Sequence, residues 1–363
     1  MRVASLQMQQ FRSYTYSDIT FGPLLNVISG GNAEGKTTII EALSLFAVGR
    51  SLRAKIEKDM IQFGTEESRL HLKLERAQRM VDLAIKIREK GKQVAVNQTI
   101  KKTMSDFLGN LYIVSFTPDD LQLVKGGPDD RRRFLNMSMA QFIPHALKYL
   151  HQYNQLLVQR NRLLKMRQPQ TIDVWDQQIS VVAAKVIAMR EEFIFKLHIL
   201  ASEQYNLLSH SQEHLTLLYK SGVEKMEEGE LTTKIYEELK RSLSHDLERG
   251  YTSFGPHRDD LLFLIDDRLV QRFGSQAQQR SYVLAIKLGL AQHIYKETGE
   301  YPILLLDDVL SELDQSRQEA LFELIQKTQT ILTTTDAVLA SKLPISTVKN
   351  FQVSHGIITD KGA

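Results

Sequence analysis

The chain has 363 residues, of which 42% are hydrophobic and 25% charged, with a formal net charge of +3; this is long enough for one large domain or two lobes with sizeable cores. It has no cysteine, which excludes disulfides, thiolate metal sites and thiol chemistry. The mild positive charge permits a nucleic-acid partner without arguing for one, and with no signal-peptide core and no apolar run near the ~18 residues of a membrane span, a cytoplasmic protein without a membrane partner is expected.

The chain opens with strand-like alternation at Val3, Ser5 and Gln7, followed by Phe11-Arg12-Ser13-Tyr14. A second strand over 24–28 runs into Gly30-Gly31-Asn32-Ala33-Glu34-Gly35-Lys36-Thr37, which fills the pattern G-x-x-x-x-G-K-[ST] completely. In that pattern the glycines let backbone N–H groups curl around phosphate oxygens, and the following helix adds its positive end. Lys36 reaches the outer phosphates, and the Thr37 hydroxyl is a Mg²⁺ ligand. A helix over 36–46 follows, with Ile39, Ile40, Leu43 and Phe46 on one face. Residues 70–96 read as short strands with a hairpin turn at Lys90-Gly91-Lys92.

From about 131 to 240 the pattern is helical. Leu147, Leu150, Asn154, Leu157, Asn161 and Leu164 alternate at spacings of three and four, and so do Ile179, Val182, Val186, Met189 and Phe193. Two such stripes either side of a turn containing Pro169 fit an antiparallel helical hairpin with a coiled-coil-like seam, or an ordinary buried helix pair. Strands return at 260–266, 302–306 and 330–334. Strands at both ends and helices between them predict one α/β lobe from residues 1–115 and 251–363, with a helical lobe, 116–250, inserted in it.

Two further elements accompany the phosphate loop. Ile303-Leu304-Leu305-Leu306-Asp307-Asp308 is an apolar run ending in two acids, as at the carboxyl end of a buried parallel strand. Asp307 is the candidate Mg²⁺ ligand and Asp308 the candidate group acting on the attacking water. Phe273-Gly274-Ser275-Gln276-Ala277-Gln278 precedes a long helix, and Ser275 with Gln278 forms a capping box. Ser311-Glu312-Leu313-Asp314 reads either as a Ser cap for a helix over 317–327 or as similar to the D-loop of ABC-type ATPases.

The order of these parts resembles ABC-type head ATPases. Phe273–Gln278 is similar to their L-S-G-G-Q signature, with Ala277 in place of the second Gly. The spacing of about 270 residues between Lys36 and Asp307 is too short for the long arms of SMC proteins. The chain resembles the RecF family over residues 1 to about 340. The resemblance rests on Phe11-Arg12-Ser13-Tyr14, Gly126-Gly127-Pro128 with Arg131-Arg132-Arg133-Phe134-Leu135, Gln159-Arg160-Asn161-Arg162, Trp175-Asp176 and Gly255-Pro256-His257-Arg258-Asp259-Asp260. Asn136 departs from the Asp usual there, and no His follows Thr334-Thr335 as in transport-type ABC proteins.

The resemblance implies an α/β fold: a two-lobed ABC-type P-loop ATPase head with an inserted helical lobe carrying a short antiparallel helical hairpin. It implies a nucleotide set of Gly30, Gly31, Asn32, Ala33, Glu34, Gly35, Lys36, Thr37, Thr38 and Arg12, with ATP and Mg²⁺ as cofactors. Thr37 and Asp307 would hold the metal, and Asp308 and Lys36 would be catalytic. Ser275, Gln276 and Gln278 would act in trans, in a homodimer formed on ATP binding. The implied function is a weak DNA-stimulated ATPase that binds double-stranded DNA next to single-stranded gaps. It would act with RecR and RecO to load RecA in repair, replication restart and the SOS response. Arg131, Arg132, Arg133, Arg160 and Arg162 are the candidate DNA contacts. The competing readings are an ATPase subunit of a membrane transporter and a metabolic P-loop kinase.

Overall fold

The structure is a computed structural model and describes the whole chain except residues 52, 53, 55, 144, 210–212, 311, 312, 336–346 and 363. It has two compact units, Met1–Asp120 with Leu284–Ala363, and Leu121–Val283.

In the first unit a sheet of six strands runs in the order Ile357–Asp360, Val348–Ser354, Leu25–Ser29, Thr330–Thr334, Ile303–Asp307, Ile113–Phe116. Every neighbouring pair is parallel except the hairpin of the first two. Ile303–Asp307 is buried at all five positions, which is why it reads as an unbroken apolar run. The helix Lys36–Val48 follows the strand Leu25–Ser29 and is buried nearly all round, Glu41 and Ser44 included. A second six-stranded sheet is antiparallel throughout, with Arg2–Phe11 paired to Tyr14–Thr20 and to Glu67–Arg76. Leu70, Leu72 and Leu74 alternate inward with Leu83, Ile85 and Ile87 of its neighbour. The expected hairpin is present, with Arg88 opposite Gly91.

The second unit holds the helices Pro128–Phe142, Ala146–Lys165, Ile172–Ser209, Glu228–Arg241 and Leu243–Arg249. It also holds a small antiparallel sheet in the order Arg268–Leu269, Asp260–Ile265, Leu215–Lys220. This corrects the expected division in two ways. Residues 131–240 are not all helical, because Leu215–Lys220 is a strand. Its pairing with Asp260–Ile265 draws residues 251–283 into this unit, so the boundary falls at 283/284 and not at 250/251.

The helical seam also differs. Ala146–Lys165 buries Leu150, Tyr153, Leu156, Arg160 and Leu164, while Asn154 is exposed. The reason is a third helix. Leu231, Ile235 and Leu239 of Glu228–Arg241 join one core with Leu150, Tyr153, Leu156, Ile179, Val182 and Val186. A two-helix hairpin therefore understates the packing.

Candidate functional site

The phosphate loop connects the strand Leu25–Ser29 to the helix Lys36–Val48. Ala33 and Gly35 both have left-handed backbones, with φ of 63° and 111°. Alternation of this kind turns successive N–H groups to one side and makes an anion-binding concavity. Gly30 and Gly35 are sterically required. A Cβ on Gly30 would lie 2.5 Å from the Val353 carbonyl oxygen, and one on Gly35 would lie 3.0 Å from the Tyr14 ring. The Tyr14 hydroxyl donates to the Gly35 carbonyl at 3.1 Å, and burial raises its pKa, so it stays a donor. Thr38 N–H donates to the same carbonyl at 3.1 Å. Gly31, Asn32 and Ala33 form the exposed rim.

Lys36 Nζ donates to the carbonyls of Gly30 and Gly31, both at 2.7 Å. The ammonium is thus held across the loop, where phosphate oxygens can compete with those carbonyls for its protons. Thr37 Oγ1 donates to Asp307 Oδ1 at 3.1 Å, so residues 270 positions apart meet as the sequence pattern anticipates. Thr333 Oγ1 donates to the same oxygen at 2.6 Å. Thr333 escapes sequence reasoning, since its only mark is a run of threonines on the next parallel strand. Asp308 sits just past the strand end with φ 54°, its N–H donating to the Thr333 carbonyl at 3.1 Å.

Two supports of the loop were also not anticipated. Glu34 is clasped by the turn of the hairpin Val348–Ser354/Ile357–Asp360: its carboxylate accepts from His355 N–H and its carbonyl from Gly356 N–H. Arg12, expected to touch nucleotide, makes a two-pronged pair with Glu41, at 3.0 and 2.8 Å, and donates to the Asp59 carbonyl at 2.5 Å. Glu41 lies on the helix that follows the loop, so Arg12 braces that helix.

In the second unit Ser275 caps the helix Gln276–Thr298 reciprocally. Gln278 N–H donates to Ser275 Oγ at 3.1 Å and Ser275 N–H to Gln278 Oε1 at 2.8 Å. This is the expected capping box. Ser275, Gln276 and Ala277 are exposed, and the Gln278 amide also donates to Glu213. Ser311 and Glu312 lie outside the described residues.

The candidate DNA contacts need correction. Arg131 is buried and makes a two-pronged pair with Asp260, at 2.7 and 2.9 Å. Arg160 is 0% exposed, pairing with Asp176 at 2.6 Å and Asp246 at 2.7 Å and donating to Thr252 at 3.0 Å. Neither guanidinium is free to reach a phosphate. Arg132 donates to the Asp259 carbonyl at 2.5 Å and pairs with Asp129. Of the five, Arg133 and Arg162 are exposed.

The most distinctive sequence stretches therefore lock one another together. Tyr219 donates to Asp259, and Arg190 donates to the Pro256 carbonyl at 2.7 Å and to Asn136 Oδ1 at 2.9 Å. The Asn136 amide oxygen thus still serves as an acceptor. Burial drives the His257 pKa down to about 4, which leaves a neutral ring at pH 7. Its Nε2 lies 2.9 Å from the Thr252 carbonyl, an acceptor only, so Nε2 carries the proton and Nδ1 accepts from the Tyr153 hydroxyl at 2.6 Å.

A phosphate loop after the central strand of a parallel sheet, with a buried Asp at the end of another strand, defines a P-loop nucleoside triphosphatase head. A family model described as an AAA domain matches residues 5–338. The DNA replication and repair protein RecF of Alkaliphilus oremlandii is 39% identical over 341 residues, covering 92% of this chain and 93% of that protein. The protein of the same name from Listeria welshimeri is 39% identical over 367 residues, covering 99% of both. A solved structure of the recombination mediator protein RecF-ATPrS in the RecFOR pathway superposes with a TM-score of 0.91 at 29% identity, covering 99% of this chain and 98% of that one. The chain belongs to the RecF family. An Smc head bound to the C-winged helix domain of ScpA is alike in fold, with a TM-score of 0.56 at 15% identity.

Proposed function

We propose that the chain is an ATP-dependent DNA-binding mediator of DNA replication and repair. The observation that carries this reading is the phosphate loop with Thr37 hydrogen-bonded to Asp307, in a chain whose relatives are named for replication and repair. ATP is the nucleotide, as in the similar structure of RecF-ATP. Gly30 to Thr38 form its phosphate cradle, and Arg12 contributes through Glu41 or by direct contact.

The Thr37 hydroxyl and the Asp307 carboxylate present hard oxygens to one point, a donor set that suits Mg²⁺. The ion would neutralise phosphate charge there. Asp308, at the mouth of the same strand, orients the attacking water and takes its proton. Hydrolysis is weak, stimulated by DNA, and serves to reset a binding switch. Two copies associate on ATP, each offering Ser275, Gln276 and Gln278 to the nucleotide of the other, and the dimer holds a junction of duplex and single-stranded gap. RecO and RecR are its partners in loading RecA during repair, replication restart and the SOS response, in the cytoplasm. Family membership weighs against the transporter subunit, and no described helix is long and apolar enough to cross a membrane.

Lys36→Ala tests the nucleotide site. Loss of charge-assisted hydrogen bonds worth roughly 1.5–3 kcal/mol should weaken ATP binding by about 10- to 150-fold, with the circular dichroism spectrum unchanged. Calorimetric titration with ATP reads this directly. Wild-type affinity in the folded variant would remove the phosphate-loop assignment.

A further inference from the structure

Arg131 and Arg160 are buried in ion pairs, whereas Arg162 is exposed on the helix Ala146–Lys165. The helix Ala146–Lys165 turns Leu150, Tyr153, Leu156 and Leu164 inward. Its opposite face is exposed and presents Lys148, Gln152, Gln155, Gln159, Arg162 and Lys165. The helix contains no Asp or Glu in its 20 residues, although the chain has 43 acids, or about one residue in eight. Five exposed acids of this unit, Glu224, Glu227, Glu228, Glu230 and Glu237, lie on or just before the helix Glu228–Arg241. Asp173, at the start of the neighbouring helix Ile172–Ser209, is engaged by Tyr236, Gln177 and Lys240.

We propose that this outer face of Ala146–Lys165 is the surface that lies against the DNA backbone; the inference rests on the DNA-binding reading above. Ammonium, guanidinium and side-chain amides are the groups that donate to phosphate oxygens without reading sequence. From Lys148 to Arg162 they extend along about 21 Å of helix, roughly two-thirds of one turn of duplex. Cations without carboxylates between them on the helix are complementary to a polyanion such as the duplex backbone. Gln152, Gln155 and Gln159 also line a groove with Trp175, the only tryptophan of the chain. A duplex seated on this face would change the surroundings of that indole.

The test uses the full chain with ATP and a labelled gapped duplex, titrated by fluorescence anisotropy at several salt concentrations. Each lost cation contact flattens the slope of log affinity against log salt by about 0.9. The double variant Lys148→Gln/Arg162→Gln should therefore bind less tightly, with a slope shallower by about 2. Lys234→Gln, on the acid-rich helix, should leave the slope unchanged. Trp175 emission should shift when wild type binds DNA. A wild-type slope in the double variant with silent Trp175 emission would overturn the proposal while leaving the DNA-binding reading intact. Failure of the wild-type chain to bind gapped DNA at all would overturn both. Normal DNA binding with loss only of a protein partner would give the face to that protein and also overturn it.

Discussion

Asp308→Asn is expected to keep ATP binding and to lower turnover by roughly 10²- to 10⁴-fold, the usual contribution of a general base. The substitution isolates the carboxylate because Asn, like Asp, tolerates the left-handed backbone this residue adopts at φ 54°. It also leaves the N–H bond to the Thr333 carbonyl in place. Alanine there would confuse lost chemistry with backbone strain. The loss is read most cleanly in a single turnover with excess enzyme, where phosphate release cannot be masked by slow exchange of nucleotide. On the proposal that hydrolysis is weak and stimulated by DNA, the wild-type rate is best determined in the presence of gapped DNA. Wild-type turnover in the variant would move the catalytic role to another group.

The second large effect is on stability. Arg160→Ala removes the one cation shared by Asp176 and Asp246, which are 1% and 0% exposed. Breaking a buried pair from one side typically costs about 3–5 kcal/mol, because the remaining charge has neither partner nor water. Here Asp176 loses its cation, while Asp246 keeps the donors Ser253 and Ser242. Burial already pushes the Asp176 carboxyl upward even with Arg160 beside it; without the guanidinium the proton becomes the only compensation. The expected result is a fall of about that size in urea unfolding of the full chain. A variant within 1 kcal/mol of wild type would show that the network is not holding the helices. Its DNA affinity, measured where it remains folded, should be unaltered, which separates this arginine from the exposed Arg162 on the same helix.

These two residues also mark what the sequence could and could not convey. The phosphate loop was legible because its chemistry needs fixed residue types at fixed spacing, and because both flanking elements carry the required periodicity. Asp307 and the Ser275 cap were legible for the same reason: one is set by the end of an apolar run, the other by a local three-residue spacing. Arg160 was not, because a charge on an apparent surface helix says nothing of acids 16 and 86 positions away. The same holds for Arg131, whose partner lies 129 positions on. The strand Leu215–Lys220 was hidden because six residues are too few to outweigh the helical pattern before and after them. Without that strand, nothing in the sequence pattern joins residues 251–283 to the helical unit.

The most direct test of ATP as the switch is sedimentation velocity of the full chain, without nucleotide, with ATP, and with ATP plus gapped DNA. The expected result is monomer without nucleotide and dimer with ATP. The dimer should co-sediment with the DNA and dissociate as ATP is consumed, while Ser275→Arg binds ATP yet stays monomeric. A mass that does not change on adding ATP, or a Ser275→Arg variant that dimerises like wild type, would contradict it.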